Sequence, residues 1–421
     1  MDIDLIPTSW EKRGNIITVV GVGGGGNNAV SYMYSLGLKD VDFVICNTDT
    51  QALQKSPVPA KLQIGPILTK GLGAGTDYTV GRQAAEESIE EIGKLFAGDT
   101  QMVFVTCGMG GGTGTGAAPL VAKTAKELGM LTVGVVTVPF RDEGKEALYR
   151  AVEGIKELSK HVDSILVIDN QKLYQLYGKM NIFTAFHKAD EVLATAVKSI
   201  AEIITSSGYI NVDFADVKKV MKNSGVAIMG IGEAEGEDRA IKAVEMALKS
   251  PLLNDLNLRS VKNALINITS SSDEENGISM EELSQIMDFT SQYTGATINF
   301  KRGIVFDEKM GGKISVTIIA TGFEMWQLPV IDENEVNRGN RIEVPYGKDL
   351  FRTRKKGTPI APDDGKLLNK KRVTGVPALI VEDVRIIKQL EDEPACIRRE
   401  RMLNPEKATV SPEVKETPEN A

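Results

Sequence analysis

The chain is poor in residues that carry chemistry unaided. Its 421 residues include three cysteines and two histidines. Cys46, Cys107 and Cys396 stand far apart with no CxxC spacing, which excludes a disulfide framework and a thiolate zinc site. His161 and His187 have no neighbours at metal-ligand or nucleophile spacing, so both are expected to be structural or exposed. A cationic surplus is missing as well. Lys and Arg number 49 against 57 Asp and Glu, a net charge of −8, whereas general polyanion binders rely on neutralising phosphates with cations. Nucleic acid is therefore not an expected partner. Nowhere do about 18 apolar residues run together, and "MDIDLIPTSWEKRGN" lacks a basic start followed by an apolar stretch. The expectation is a cytoplasmic protein that meets membranes only indirectly.

What the chain does have is a repeated alternation. From Asn15, "IITVVGVG", "VDFVICNT", "TQMVFVTCG", "LTVGVVTVP" and "DSILVIDN" read as strands apolar nearly throughout, the mark of a parallel sheet covered on both faces. Helical spacing fills the stretches between them, as in "APLVAKTAKELG". The pattern is βαβ repeated, an α/β fold with a doubly wound nucleotide-binding domain. Apolar residues recur at helical period from Ile182 to Gly208, which predicts one long central helix ended by Gly208. Beyond it, "VKNALINITS", "ATINFKRGIV" and "KISVTIIATGF" are strands of a second, smaller α/β domain, with "SMEELSQIMDFTSQY" a helix between the first two. The expected organisation is an extension (1–14), the nucleotide domain (15–180), the central helix (181–208) and the second domain (209–325). A polar linker (326–390), a partner-binding peptide (391–402) and a terminal extension (403–421) complete it. The linker, with "RTRKKGTPIAPDDGKLLNKKR", has the composition of a flexible tail. Its basic run, Arg352, Arg354, Lys355 and Lys356, reads as a solvated stretch or a contact with anionic lipid.

Two glycine-rich stretches fall at the carboxyl ends of predicted strands, where open α/β sheets bind ligands. Gly21, Gly23 and Gly26 of "GVGGGGNN" fit the dinucleotide fingerprint, with Asp42 or Asp49 near the place of a ribose-binding acid. A nicotinamide-dependent oxidoreductase would explain this stretch. It gives no reason for the second, "GMGGGTGTG", Gly108 to Gly116. Successive glycines bring backbone N–H groups to one concavity, and a helix expected to start at Ala117 or Ala118 adds its positive dipole end, so a polyphosphate can be held by amides. Threonines add hydroxyl donors without bulk. The run has no Lys or Arg, and G-x-x-x-x-G-K-[ST] occurs nowhere. Charge compensation therefore falls to a metal ion, and Mg²⁺ suits phosphates.

"GGGTGTG" at Gly110 to Gly116 resembles the signature of the tubulin/FtsZ superfamily of GTPases. "GVGGGGNNAV", "NTDTQAL", "GLGAGTD", "VVTVPF", "ELSKHVDSILVI" and "NVDFADVKKVM" resemble its bacterial cell-division branch, in the same order, over residues 15–323. The resemblance implies a self-assembling GTPase that binds GTP or GDP with Mg²⁺ and forms head-to-tail filaments of the division ring at midcell. It implies phosphate binding by Gly23, Gly24, Gly25, Gly26, Asn27 and Asn28, and by Gly110, Gly111, Gly112, Thr113, Gly114, Thr115 and Gly116. Asp49 joins the nucleotide site. Ala74 and Gly75 would sense the γ-phosphate and Glu143 would meet the ribose. Asn170 and Asp190 would bond the guanine edge, with Phe186 against the base. A carboxylate at Asp190 would accept from guanine's N1–H and 2-amino group, which adenine lacks.

By spacing alone, Asp213 and Asp216 in "NVDFADVKK" are a helix N-cap and a first-turn acid. The resemblance gives them another part. This stretch would enter the nucleotide site of the next subunit, where Asp213 and Asp216 polarise the attacking water and Asn211 helps to place it. Hydrolysis would then require association. Three departures stand out. Ala147 occupies the place of a family arginine, with Arg150 one turn on as the candidate replacement, and Asp169 replaces a proline before Asn170. The tail peptide between Pro394 and Arg399, residues 394–399, resembles the family's binding site for membrane-tethering and regulatory proteins, and the chain continues past it. The competing readings are the oxidoreductase and a tubulin-like filament with another task, such as plasmid segregation.

Overall fold

The computed structural model describes residues 15–177, 181–205, 213–250, 261, 263–294 and 299–323, apart from the side chains of 174–177, 182, 183, 185, 186 and 299. Apolar runs become strands: β1 (Ile17–Val22), β2 (Val41–Asn47), β3 (Ala60–Gln63), β4 (Met102–Gly108), β5 (Leu131–Val138), β6 (Ser164–Asp169), β7 (Gly225–Glu235), β8 (Asn263–Ser270), β9 (Asn299–Phe306) and β10 (Lys313–Phe323). They form one sheet in the order β3-β2-β1-β4-β5-β6-β7-β10-β8-β9. Pairing is parallel from β3 through β7, antiparallel where β10 meets β7 and β8, and parallel between β8 and β9. The first six strands have the doubly wound order, which reverses direction between β1 and β4 and opens a crevice there.

The helices are α1 (Gly23–Ser35), α2 (Thr50–Lys55), α3 (Pro66–Thr69), α4 (Tyr78–Glu87), α5 (Ile89–Lys94), α6 (Thr113–Glu127), α7 (Lys145–Ser159), α8 (Asn170–Tyr177), α9 (Ile182–Thr205), α10 (Phe214–Met221), α11 (Arg239–Leu248) and α12 (Met280–Thr294). Pleating splits the core in two, because alternate residues of a strand point to opposite faces. Val20, Val22, Val103 and Val105 belong to one core cluster with residues of α6, α7, α11 and α12. Ile17, Val19, Met102 and Phe104 pack with α1, α9 and α10. Covering both faces is what makes β1 and β5 buried at every position.

The central helix α9 buries Ala189, Leu193, Val197, Ile200 and Ile203 at the predicted helical period. It lies against α1, α8, β5, β8 and β9. Each large apolar side chain so buried contributes about 1.5–3 kcal/mol, and a charge at Ile200 would break that packing. Gly208 lies outside the described residues. Asp163 fixes the start of β7: its carboxylate accepts from Thr132 N at 3.0 Å, and its carbonyl accepts from Ser224 N at 2.9 Å and Gly225 N at 3.3 Å. The end of α10 is thereby tied to the sheet.

Three features differ from expectation. Helix α6 begins at Thr113, four residues before Ala117. Gly114 and Gly116 belong to the helix because a Cβ on them would stand 2.7 Å from Gly108 O and 2.0 Å from Tyr78 O, so packing overrides their poor helix propensity. Strand β3 is four residues long, too short for a periodicity to show. Strand β7, "GVAIMGIGEAE", carries three glycines that mask its strand character, and Gly232 lies where a Cβ would meet Ala243 O of α11 at 2.0 Å.

Candidate functional site

The first two helices after a glycine run start without side-chain caps. Helix α1 follows Val22 and α6 follows Gly112, neither helix has a side-chain cap hydrogen bond, and neither carries an acid in its first turn. The first N–H groups of such helices have no partner inside the helix and gather positive potential. The register pairs Val22 of β1 with Cys107 of β4, so both helices leave adjacent strands at the same edge. A Cβ on Gly23 would lie 2.7 Å from Gly114 N, which shows how closely the two helix starts approach. At that edge is a cleft of about 430 Å³. Its walls are Gly24, Gly25 and Asn28 of α1, Gly108 to Gly114 apart from Gly110, Thr137, Pro139 and Glu143, with Asn170, Ala189, Asp190 and Leu193 at one end. No Lys or Arg is among these lining residues.

The glycines divide into two kinds. Gly24 and Gly111 are exposed, with nothing within 4 Å of an added Cβ. They leave bare backbone at the cleft. Gly26 is buried, and a Cβ there would meet Thr106 O at 2.3 Å. Gly26 packs α1 onto β1 and β4, Gly23 packs it against the start of α6, and neither lines the cleft. Asn27 is a latch: with its amide oxygen toward Asn47 Nδ2, its nitrogen donates to Gly21 O, Gly23 O and Cys46 O. The threonine hydroxyls also serve the loop. Thr113 Oγ1 pairs with Thr48 Oγ1 at 2.7 Å, and Thr115 Oγ1 accepts from Gly110 N at 2.9 Å.

Among the other expected residues, Asp49 caps α2, accepting from Gln51 N at 2.8 Å and Ala52 N at 3.1 Å, and does not line the cleft. It bridges to Leu72, at the head of the segment carrying Ala74 and Gly75. Ala74 lies beside the cleft wall, since a Cβ on Gly112 would meet its Cβ at 2.9 Å. Gly116 packs against α4 away from the cleft. Glu143 lines the cleft and accepts from Phe140 N at 2.7 Å. Asp42 stands at the opposite end of β2, near its start, and accepts from Asn15 Nδ2 at 3.1 Å. A ribose-binding acid of an oxidoreductase would sit at the strand's carboxyl end.

The far end of the cleft suits a base with N–H donors. Asn170 is 7% exposed, and its Oδ1 has no hydrogen-bond partner. A buried acceptor left without a donor costs about 1–3 kcal/mol, which a ligand donor would remove. Burial pushes the nearby Asp190 carboxyl up to about 6, and His187 opposes that rise. Asp169 Oδ1 accepts from Gln171 N at 2.8 Å, across Asn170 at the start of α8. Ala189 and Leu193 add an apolar floor that sequence reasoning did not pick out. Their only signal was the helical stripe they share with the core. Phe186 lies outside the described side chains.

Asp213 and Asp216 are elsewhere. Asp213 caps α10, accepting from Ala215 N at 3.4 Å, and is exposed. Asp216 pairs with Lys301 Nζ at 2.8 Å. Neither lines the cleft. Asn211 and the peptide at 394–399 lie outside the described residues. His187 is exposed, and His161 lies 3.4 Å from Glu157 Oε1. Cys46 and Cys107 are fully buried, and burial pushes both thiols up to about 12, so they are inert at neutral pH.

Comparisons with known proteins agree with this geometry. The pattern described as the GTPase domain of the Tubulin/FtsZ family matches residues 16–178, and the C-terminal domain of the FtsZ family matches residues 225–324. The chain is 48% identical over 308 residues to the cell division protein FtsZ of Pseudomonas aeruginosa, covering 73% of this chain and 77% of that protein. It is 41% identical over 402 residues to that of Porphyromonas gingivalis, covering 92% and 86%. A solved dimer of FtsZ from M. jannaschii superposes with a TM-score of 0.69 at 44% identity, covering 74% of this chain and 89% of that one. A cleft walled by two uncapped helix starts at the switch point, within a chain matched along both its halves, places this protein in the FtsZ branch of the tubulin/FtsZ family of GTPases.

Proposed function

We propose that the chain assembles head to tail and hydrolyses GTP at each junction, one subunit supplying the cleft and its neighbour supplying Asp213 and Asp216, with Asn211 beside them. The observation that carries this reading is the separation of the two halves: amide donors line the cleft, while both acids lie outside it on α10. An isolated subunit binds nucleotide and lacks the groups that place and polarise water. Phosphoryl transfer needs placement and electrostatics above all, so joining the halves is enough to switch it on. Exposed Ile67 and Leu72, 80% and 84% accessible, lie on the segment leading to Ala74 and offer apolar surface for a second copy.

Mg²⁺ fits the site on the chemistry of its walls. The lining residues hold no cation, so phosphate charge falls to amides and to a metal that keeps phosphate and water ligands. When bound, the metal neutralises charge developing on the phosphates. The chain's own residues do the rest. Gly24, Gly25 and Gly111 to Gly114 present amides, Glu143 faces the sugar, and Asn170 with ionised Asp190 accepts from the guanine edge. Ala74 and Gly75 report the γ-phosphate through Gly112. The division into a nucleotide domain (15–180), central helix (181–208) and second domain (209–325) is supported by the two separate family matches. The filament belongs to the cytoplasmic division ring at midcell, tethered through the peptide at 394–399.

Phosphate release across a protein dilution series tests the reading. Turnover per subunit is expected to rise steeply with concentration, while GDP binding persists in dilute protein. A rate per subunit that stays constant on dilution refutes it.

A further inference from the structure

Gly110 is the one residue of the signature stretch whose two backbone groups are both taken by side chains. Its N–H donates to Thr115 Oγ1 at 2.9 Å, and its carbonyl accepts from Arg150 Nε at 2.8 Å. Gly110 has φ +100°, and a Cβ there would stand 2.9 Å from Ala147 O and 3.1 Å from Pro139 Cγ. Only glycine can bring the chain this close to α7. Ala147 and Arg150 lie three residues apart on one face of that helix, so the close approach at Ala147 is also what puts the carbonyl within reach of Arg150.

The consequence is geometric. In a trans peptide the C=O of Gly110 and the N–H of Gly111 lie in one plane and point in opposite directions. Holding the carbonyl toward α7 therefore aims the Gly111 N–H away from α7. Gly111 is exposed and lines the cleft; Arg150, with a side chain 22% accessible, does not. The remaining contact of the guanidinium is loose, 3.8 Å from Nη1 to Glu146 Oε2, and the Glu146 side chain is 96% accessible. We infer that Arg150 is a positioning residue for phosphate binding: it clamps the Gly110 carbonyl so that the Gly111 amide faces the nucleotide phosphates, and it acts as a hydrogen-bond donor and not as a counter-charge. This rests on the GTP-binding reading above.

Two variants of equal side-chain length separate donor from charge. Glutamine carries an N–H donor at the same bond count from Cα as arginine Nε but is neutral. Methionine has the length and no donor. Equilibrium binding to the full chain at dilute concentration is measured for GDP and, by competition, for guanosine. Arg150→Met is expected to weaken GDP by about tenfold, the scale of one well-placed hydrogen bond to a charged group, with guanosine unchanged. Arg150→Gln is expected to stay within about threefold of the parent, because the donor is kept. Amide exchange at residues 110–112 should quicken in Arg150→Met and not in Arg150→Gln. Equal losses in both variants would mean that charge matters, and would overturn the assignment. GDP affinity unchanged in Arg150→Met would overturn it, as would parallel losses for GDP and guanosine. If Arg150→Met does not fold, Arg150→Gln alone decides, since a tenfold loss with the donor retained refutes the clamp. A parent protein that binds no guanine nucleotide would refute the GTP reading itself, an outcome distinct from the others.

Discussion

Helix α10 and the pair α1 and α6 begin in opposite ways. Asp213 caps α10 and Asp216 sits in its first turn, held by Lys301. Helices α2 and α4 are likewise capped, by Asp49 and Asp77. At α1 and α6 no side chain caps the start, although a cap adds about 1 kcal/mol to a helix. The difference teaches where the chain keeps its donors for a ligand. Side-chain caps are also missing at α5 and α7, which carry first-turn acids, and at α11, which carries none. What sets α1 and α6 apart is that their bare starts meet at the cleft, where amide donors suit an anion. Glu143 and Asp190 line the cleft, whereas Asp213 and Asp216 stand at the start of α10 and do not reach it within one subunit.

The sharpest way to break this comparison is to remove the acids. Asp213→Ala or Asp216→Ala is expected to lower GTP turnover by about 10²-fold or more, on the scale of general acid–base contributions, with GDP affinity retained; phosphate release beside equilibrium binding checks both halves. Equal loss of binding would place the acids in the cleft of their own subunit.

The next largest effect comes from making α1 resemble α10. Gly24 has open space around it, so Gly24→Asp fits and puts a carboxylate in the first turn of an uncapped helix. Nucleotide affinity should fall by about tenfold or more through like-charge repulsion, while the free protein gains a few tenths to about 1 kcal/mol from the dipole. Thermal unfolding and GDP titration should move in opposite directions. A drop in both would mean that the first turn is needed for folding and not for the anion.

Proton uptake sharpens the guanine end. With Asp190 near 6, the ionised fraction falls from about nine-tenths at pH 7 to about one-tenth at pH 5, so guanine nucleotide affinity should drop by about tenfold over that span. The sign for folding is the reverse. A carboxyl with a folded-state pKa above its unfolded value favours the folded state in its protonated form, and that contribution is lost as pH rises through about 4 to 6. Asp190→Asn should therefore stabilise the nucleotide-free protein at pH 7.5 and abolish the pH step in binding. Persistence of the step would assign it to another group. The smallest expected effect is that of Lys301→Ala. Its pair with Asp216 is about one-third exposed on both sides, so stability should change by less than about 1 kcal/mol. A larger fall in denaturant titration would make that pair part of the scaffold holding α10.

Much of the site was readable because it depends on short local runs. Glycines after an apolar strand, with no cation among them, predict a backbone cradle at a strand end wherever the rest of the chain goes. The N-cap reading of Asp213 is equally local, and the hydrogen bond to Ala215 N bears it out. Other residues could not be read this way. Asp42 and Asp49 both carry the right group for a ribose; one lies at the wrong end of its strand and the other caps a helix. The start of α6 was misplaced because glycine propensity points to a loop, while contacts with Gly108 and Tyr78 demand a helix without side chains. Arg150 is one cation among many until its distance to Gly110, forty residues away, is known.

By itself, then, the order of residues determined the doubly wound sheet, the two glycine cradles at its switch point and the long helix behind them, because periodicity and turn chemistry act over a few neighbours. Tertiary structure alone decided which glycines face the cleft and which admit another backbone. It also decided which acids are spent on caps, that Asn170 is left with an open acceptor, and which way the Gly111 peptide points. Those outcomes depend on close approach between segments far apart in the chain, and no local pattern encodes such distances.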